Sequence, residues 1–266
     1  MRVFATSDIH VDYAANFDWL RSLSVYDFTE DILILAGDVS DNLALIAESL
    51  ELLLGKFRKV CFVPGNHELW VKGSEFNCSL EKFAAIKDLC KEIQVISECH
   101  REGDITFVPL YSWYDYSFAA FDEKLKRAWR DYRCCVWPAY LNDNPQINKH
   151  FLEMNLPVLQ QTNKVVISYS HFVPRIDLMP KRIPLKKRNI YPVLGSVSLG
   201  MQVTQLKPDV HIYGHSHVNQ AIDIEGIHYV NNAFGYPSEL RIARKRLHCI
   251  YQHGQLQTDT LTGRPN

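Results

Sequence analysis

The feature that most constrains the fold of this sequence is a short apolar run that recurs five times, each time followed by a polar or glycine-containing segment. Each run has the length of a buried strand and is rich in β-branched residues. The five runs are Val3–Thr6, Ile32–Ala36, Val60–Val63, Val165–Tyr169 and Val210–Tyr213. Because amphipathic stretches at helical spacing separate them, the pattern predicts a layered α/β fold.

Helices and further strands are predicted around these runs. The strongest helical pattern is Leu43–Leu54, with Asn42 placed to cap its first turn and Gly55 placed to end it. The other predicted helices are Leu80–Cys90, Phe121–Tyr132 and Ser196–Leu206, the last interrupted by Gly200. After Gln220, alternating apolar residues between turn signals predict the strands Ala221–Ile224, Ile227–Val230, Leu247–Tyr251 and Leu256–Thr260.

Length and charge limit the possible functions. With 266 residues, 47% of them hydrophobic, the chain can bury a sizeable core. We interpret residues 1–266 as a single domain because the polar segments are spread along most of the chain. The 29 Lys and Arg residues against 30 Asp and Glu residues leave a formal net charge of -1. A dedicated nucleic-acid binder is therefore not favoured, and an anionic substrate needs a local attraction.

Cysteine usage and the N-terminus indicate the compartment. The seven cysteines are odd in number and form no C-x-x-C pair, which favours free thiols in a reducing environment. The first ten residues contain no extended apolar region of the kind found in signal peptides, and no apolar stretch reaches the length of a membrane span. We therefore expect a cytoplasmic protein without a membrane partner.

The polar residues that follow the predicted strands are suited to binding metal ions. Ligands of open α/β sheets bind beyond the carboxyl ends of the strands, where all five polar segments are expected. Asp8 and His10 are two residues apart in what is expected to be an extended segment, so their side chains can leave the same face. His215 and His217 have the same spacing. Imidazole and carboxylate ligands together suit Zn, Mn, Fe or Co.

Three further residues extend this set. Asp38 follows a glycine, and its two carboxylate oxygens can bridge two ions. Asn66 also follows a glycine and offers a carbonyl oxygen, and His171 follows the fourth predicted strand. Each signal is weak alone, since a histidine at a strand end is more often structural and Gly-Asp is an ordinary turn dipeptide. Their combination, in order and each after a strand, is specific.

Taken together, these motifs resemble those of the calcineurin-like metallophosphoesterase superfamily. The residues that carry the resemblance are Asp8-Ile9-His10, Gly37-Asp38-x-x-Asp41, Gly65-Asn66-His67-Glu68, the isolated His171 and Gly214-His215-x-His217. The resemblance implies a four-layer α/β/β/α sandwich with two mixed β-sheets. It also implies two divalent metal ions, with Mn, Zn, Fe, Co and Ni as the candidates.

The resemblance assigns a role to each motif residue. By this match the first ion is held by Asp8, His10 and His217, the second by Asn66, His171 and His215, and Asp38 bridges both. His67 stands near the leaving group, and Asp41 orients its ring. The implied reaction is hydrolysis of a phosphate ester by a hydroxide that bridges the two ions. A site left about one unit positive would attract the anionic substrate locally, and His67 would protonate the departing oxygen.

Departures from the family pattern leave the substrate open. Asn42 and Pro64 stand where protein Ser/Thr phosphatases of the superfamily carry arginines, so a phosphoprotein substrate is not expected. A small-molecule or nucleotide phosphate ester is expected, with monoester or diester preference and oligomeric state undecided. The alternatives are a nuclease or cyclic-nucleotide phosphodiesterase, and a non-catalytic scaffold on the same fold. The scaffold is disfavoured because every ligand position is filled.

Two other segments allow two interpretations each. The basic segment Arg175–Arg188 is either a flap that grips an anionic substrate or a solvated loop, and we favour the loop. Trp113 and Tyr114 either stack on a nucleobase or belong to the core, and we favour the core.

Overall fold

The strands form two mixed β-sheets. The computed structural model describes residues 1–258. Its strands are β1 Val3–Thr6, β2 Ile32–Leu35, β3 Lys59–Phe62, β4 His100–Glu102, β5 Ile105–Pro109, β6 Val165–Tyr169, β7 Val210–Tyr213, β8 Gln220–Ile224, β9 Ile227–Asn231, β10 His248–Gln252 and β11 Gln255–Leu256. One sheet has the order β11-β10-β1-β2-β3 and the other the order β4-β5-β6-β7-β9-β8.

Parallel pairing places the functional strand ends at one edge of each sheet. In the first sheet β1, β2 and β3 are parallel, whereas β10 runs antiparallel to β1. In the second sheet β5, β6, β7 and β9 are parallel, and β4 and β8 pair antiparallel at the margins. The carboxyl ends of β1, β2 and β3 therefore meet at one edge, and those of β6 and β7 at another.

Helices cover the sheets. They are α1 Ala14–Ser22, α2 Leu43–Leu54, α3 Ser79–Glu92, α4 Glu123–Ala128, α5 Asp131–Cys134, α6 Asn144–Asn155 and α7 Val197–Leu206. Short 3₁₀ turns span His67–Leu69, Leu156–Val158, Ile176–Leu178 and Leu185–Val193. Within residues 1–258, no helix combines the length and apolar character needed to cross a membrane.

Alternation along β1 shows how the layers are arranged. Val3 and Ala5 point into an apolar cluster that also contains Ile167 and Ile212 of the second sheet. Phe4, on the opposite face, packs in a second cluster with side chains of α1 and α2. Side chains of α6 and α7 pack into the first cluster from the other sheet. The predicted four-layer sandwich with two mixed sheets is confirmed.

Local signals located several elements correctly. Leu43–Leu54 is a helix whose Asn42 side chain accepts hydrogen bonds from the N–H groups of Ala44 and Leu45, at 2.9 and 3.2 Å. The predicted Ser196–Leu206 helix also forms, with Ser196 capping the N–H of Leu199 at 3.1 Å. The glycine within that helix is required, because a Cβ there would collide with a backbone carbonyl of the neighbouring segment.

Two predicted elements are wrong in extent. Phe121–Tyr132 is not one helix: it divides into α4 and α5, and Trp129 between them is extended. The chain breaks there because Asp131 starts a new helix and turns its side chain towards distant partners. The predicted strand Leu256–Thr260 ends at Leu256 in the described part, and Asp259 and Thr260 lie outside the described residues. The sequence pattern also missed α1, α6, β4 and β5.

Candidate metal centre

The predicted ligands converge between the two sheets. They follow the ends of β1, β2 and β3 on one side and of β6 and β7 on the other, and all seven are buried. Their ligand atoms form two groups, within each of which every atom lies inside 4.8 Å of the others. The groups are Asp8, His10, Asp38 and His217, and Asp38, His171 and His215. Asp38 belongs to both groups, as a bridging residue would.

The backbone at these ligands is not extended. Asp8 and His10 have φ angles of 53° and 46°, and His215 and His217 have φ angles of 64° and 53°. Asp38 has a φ of 56°. The expected extended segments are therefore wrong, because each loop turns sharply as soon as its strand ends. Left-handed backbone at non-glycine residues costs about 1–3 kcal/mol each and clusters at functional sites.

Hydrogen bonds between the loops hold this conformation. The N–H of Asp8 donates to the carbonyl of Gly37 at 2.8 Å, and that of His10 to the carbonyl of Asp38 at 3.0 Å. The buried carboxylate of Glu68 accepts the N–H groups of Val39 and Gly65, both at 2.6 Å. Glu68 lies in a recognised motif but had no predicted role. It ties the loop after β2 to the loop after β3.

Backbone carbonyls determine which ring nitrogen carries the proton in two of the histidines. Nδ1 of His171 lies 2.9 Å from the carbonyl oxygen of Ala36, and Nε2 of His215 lies 3.0 Å from that of Val193. A carbonyl only accepts, so these two nitrogens carry the protons. The remaining nitrogens, His171 Nε2 and His215 Nδ1, expose lone pairs and face each other at 3.0 Å.

Oxygen atoms complete this second group. Nδ2 of Asn66 donates to Oδ1 of Asp131 at 2.9 Å, which turns Oδ1 of Asn66 towards His171 Nε2, 3.1 Å away. Oδ1 of Asp38 lies 3.4 Å from the same nitrogen. Four acceptor atoms thus converge without a hydrogen between them. Such an arrangement is repulsive unless a cation lies among the atoms, so these residues fit a metal ion.

In the first group, ligand atoms also lie close together, but one of its histidines has a raised pKa. Nδ1 of His217 lies 2.6 Å from Oε2 of Glu239, and its Nε2 lies 3.2 Å from Oδ1 of Asp8 and 3.1 Å from Nε2 of His10. Burial alone would lower the pKa of His217, but Asp8 and Glu239 outweigh it and raise the pKa to about 9. Burial and His217 lower the pKa of His10 to about 3. His10 is neutral, as a metal ligand must be.

Carboxylates crowd the centre. Burial, followed by the charges of Glu68 and Asp8, raises the pKa of Asp38 well above its usual range. Burial likewise raises the pKa of Glu68. Buried anions of this kind require a compensating positive charge. A pair of divalent cations between the two groups would supply it.

His67 lies beside the centre as predicted, but its surroundings differ from expectation. The backbone N–H of His67 donates to Oδ1 of Asp38 at 3.0 Å, and the His67 ring stacks on Trp70 with centroids 3.7 Å apart. Among residues 1–258, no hydrogen bond or ion pair joins Asp41 to His67, and the carbonyl of Asp41 instead accepts from Lys82. In this structure Trp70 supports the His67 ring, and the orienting role of Asp41 stays a prediction.

Four residues around the centre were missed in the sequence. Asp131 contacts Asn66, Glu239 contacts His217, and the ring of Tyr236 stacks on His10 at 4.5 Å. The guanidinium of Arg130 lies 4.3 Å from the ring centroid of Trp70. None of them lies in a recognised motif or directly after a predicted strand. Their contacts arise only from the tertiary fold.

The structure places Trp113 and Tyr114 in the core, whereas the role of the basic segment stays a prediction. Trp113 and Tyr114 are each 1% exposed and stack on each other, so they belong to the core and do not present a face to a nucleobase. In the basic segment, Arg175 pairs with Asp177 and Glu225 at 2.9 and 2.8 Å. The lysines of that segment are exposed, which favours a solvated loop.

Two mixed sheets and a paired cluster of Asp, His and Asn residues define a metallophosphoesterase. The chain belongs to the calcineurin-like phosphoesterase family, whose sequence model matches residues 1–219. It is therefore a hydrolase acting on phosphate esters, and the family's dinuclear divalent metal centre corresponds to the clustered groups described above.

Relatives of the full fold are known. The chain is 26% identical over 278 residues to the [acyl-carrier-protein] phosphodiesterase PptH of Mycobacterium tuberculosis, covering 90% of this chain and 79% of that protein. It is 23% identical to the uncharacterized protein L509 of Acanthamoeba polyphaga mimivirus, covering 88% and 90%. The crystal structure of the phosphopantetheinyl hydrolase PptH from M. tuberculosis superposes with a TM-score of 0.79 at 24% identity, covering 94% of this chain and 95% of that one.

Proposed function

We propose that this protein is a phosphodiesterase whose substrate is a carrier protein bearing a phosphopantetheine arm. The observation that carries the proposal is the 26% identity to an acyl-carrier-protein phosphodiesterase over 90% of this chain, which extends well beyond the metal motifs. Hydrolysis would break the bond between phosphorus and the carrier's hydroxyl oxygen. The products would be phosphopantetheine and the free carrier hydroxyl.

The ligand roles follow the two groups of acceptor atoms. We propose that Asp8, His10 and His217 hold one ion, that Asn66, His171 and His215 hold the other, and that Asp38 bridges them, with Mn, Zn, Fe, Co or Ni as the metals. When bound, such ions act as Lewis acids and lower the pKa of a coordinated water towards about 7.

The remaining chemistry belongs to side chains beside the ions. His67 is buried, and burial lowers its pKa well below the usual value. Its Nε2 lies 3.8 Å from Oδ2 of Asp38. We propose that it takes up a proton when the anionic substrate binds beside it and then gives that proton to the departing oxygen. Asp41 remains the proposed partner of His67, acting through a rearranged side chain or a bridging water. Trp70 limits the rotation of the His67 ring.

An arginine at the mouth of the site supports an anionic substrate. Arg130 is exposed, stacks on Trp70, and forms no ion pair within the described residues. Trp70 in turn contacts His67. Asn42 and Pro64 stand where related phosphatases carry arginines beside these motifs. Arg130 brings a positive charge to the site from a different segment. We infer that it contacts an anionic group of the substrate.

The test is a substrate panel on protein of known metal content. Metal analysis comes first, followed by phosphopantetheinylated acyl carrier protein, bis(p-nitrophenyl) phosphate, p-nitrophenyl phosphate, cyclic AMP and single-stranded DNA with each metal. We expect mass spectrometry to show loss of phosphopantetheine from the carrier protein, and the small diester to be cleaved faster than the monoester. The Asp38→Asn variant is the inactive control.

Other outcomes would select the alternatives. Cleavage of DNA or cyclic AMP without action on the carrier protein would favour a nuclease or cyclic-nucleotide phosphodiesterase. A protein with no bound metal and no activity on any substrate would be a scaffold. A faster monoester reaction would contradict the diester preference.

We further propose a single domain over residues 1–266 and a cytoplasmic location. All seven cysteines are free thiols, which is expected in a reducing compartment. Nucleic acid remains a disfavoured partner, and neither a membrane partner nor a particular oligomeric state is proposed.

A further inference from the structure

Asp131 lies where the predicted helix breaks, and its carboxylate faces the metal centre. It is 3% exposed. Its Oδ1 accepts hydrogen bonds from Nδ2 of Asn66 at 2.9 Å and Nε1 of Trp70 at 2.6 Å. Its Oδ2 accepts from Nε1 of Trp129 at 2.7 Å. Every hydrogen bond that the carboxylate makes is therefore accepted, and one of its donors is a proposed metal ligand.

An asparagine ligand needs a partner of this kind. The two ends of its amide have nearly the same shape, but only the oxygen binds a cation. If the Asn66 amide rotated by half a turn, its N–H group would face Nε2 of His171 and donate to that lone pair. The second group would then offer a hydrogen bond where the ion should bind. An acceptor on the far side of the amide opposes this rotation.

We propose that Asp131 is a positioning residue that keeps Oδ1 of Asn66 directed at the second metal ion. The inference rests on the proposed ligand set but not on the identity of the substrate. Asp131 itself contacts neither the proposed ion nor the reacting atoms, and it acts through Asn66.

Its two tryptophan partners connect this role to the rest of the site. Trp70 stacks on His67, and the Trp129 ring lies edge-on to His215, with centroids 5.8 Å apart. The same carboxylate therefore anchors the surroundings of a ligand and of the proposed proton donor. If Asp131 had only a structural role, it would hold the two indoles in place without affecting metal binding by Asn66.

Metal binding separates these two possibilities. Wild type and variants would be titrated with Mn²⁺ after EDTA treatment, with bound metal per chain measured by elemental analysis and thermal unfolding followed in EDTA. For Asp131→Ala we expect the affinity for one of the two ions to fall about 10–100-fold, the usual effect of removing such a partner. The affinity for the other ion should change far less.

Two variants make the test independent of folding. Trp129→Phe removes the donor to Oδ2 without touching Asn66, so it should keep both affinities. In the double variant D131N/W129F, the amide oxygen at position 131 can still accept from Asn66 and Trp70, and its NH₂ no longer opposes an indole N–H. The affinity of this variant for the second ion should be within a few-fold of that of W129F.

The outcomes are decisive for the proposal. The proposal is overturned if Asp131→Ala and D131N/W129F lose the same affinity for the second ion. It is also overturned if Asp131→Ala weakens the binding of both ions equally, or if the wild type binds one ion only. If wild type binds two ions with the expected variant pattern but does not cleave the carrier protein, the positioning role stands and the proposed function fails.

Discussion

The imidazole of His217 is held between two carboxylates, with its Nδ1 2.6 Å from Oε2 of Glu239. The same oxygen also accepts the N–H of Tyr236 at 2.8 Å, which fixes Glu239 in place. Carboxylate partners of this kind orient a histidine ligand and raise its basicity. Five predictions rest on this contact and on other contacts around the site.

Replacing Glu239 by Gln should weaken metal binding at the first group. The amide keeps the size of the side chain but removes the charge that favours the Nδ1 proton of His217. We expect a loss of about 10–100-fold in affinity for one ion, measured by Mn²⁺ titration. Glu225→Gln is the control because Glu225 is a surface partner of Arg175. Equal affinities in the two variants would contradict the prediction.

Metal binding should release protons and strengthen as the pH rises. Without metal, the pKa of His217 is raised to about 9, so its ring stays protonated up to about pH 9, including the window between about pH 6.5 and 9 where an unperturbed histidine is neutral. A cation at Nε2 must displace that proton, so apparent affinity should rise about tenfold per pH unit in this window. Proton release would be followed with an indicator in weak buffer, with His217→Asn as the control. A pH-independent affinity would refute this assignment.

The same pKa has a consequence for the metal-free protein. A group whose pKa is raised on folding stabilises the folded state fully below its unfolded pKa, about 6.5 for histidine. That contribution from His217 is lost as the pH rises through about 9. Denaturant unfolding in EDTA should therefore show a stability loss over this range that is missing in His217→Asn.

Arg130→Gln should raise KM for the diester with little change in kcat. A charged hydrogen bond contributes about 1.5–3 kcal/mol, which corresponds to roughly a tenfold or larger increase in KM. Arg133→Gln is the matched control, because Arg133 is also exposed and lies three residues further along the same segment. An unchanged KM, or the same change in both variants, would exclude Arg130 from substrate binding.

Lys82→Met should destabilise the fold. The side chain of Lys82 is buried, and its ammonium group donates to the carbonyls of Asp41 and Trp70. Methionine fills similar space but leaves both carbonyls without a donor, at a cost of about 1–3 kcal/mol per group. Urea unfolding would measure the loss. Lys91→Met on the exposed side of the same helix should change stability by less than about 0.5 kcal/mol.

Local sequence signals were reliable where one strand and its following residues carry the information. The pattern at Val3–Thr6 identified the strand, and Asp8 after it lies in the first group of candidate ligand atoms. The same signal did not indicate the left-handed backbone at Asp8. That conformation depends on a hydrogen bond to Gly37, which lies on another strand end.

Long-range contacts account for the misplaced helix. Phe121–Tyr132 has a continuous amphipathic pattern, yet the helix stops before Asp131. Partners 65 and 61 residues away, Asn66 and Trp70, bind that carboxylate and outweigh the local helical preference. Hydrogen bonds made by a buried charge are worth more than helix propensity, which amounts to less than about 1 kcal/mol per residue.

The sequence alone determined the α/β layering, the superfamily and the seven candidate ligands, because strand patterns and ligand types are local properties. Tertiary structure decided which nitrogen of His171 is protonated, which way the Asn66 amide points and which carboxylate supports His217. The sequence specifies which donor and acceptor groups are present. Their partners are chosen only when distant loops meet, because a hydrogen bond requires two atoms within about 3 Å of each other.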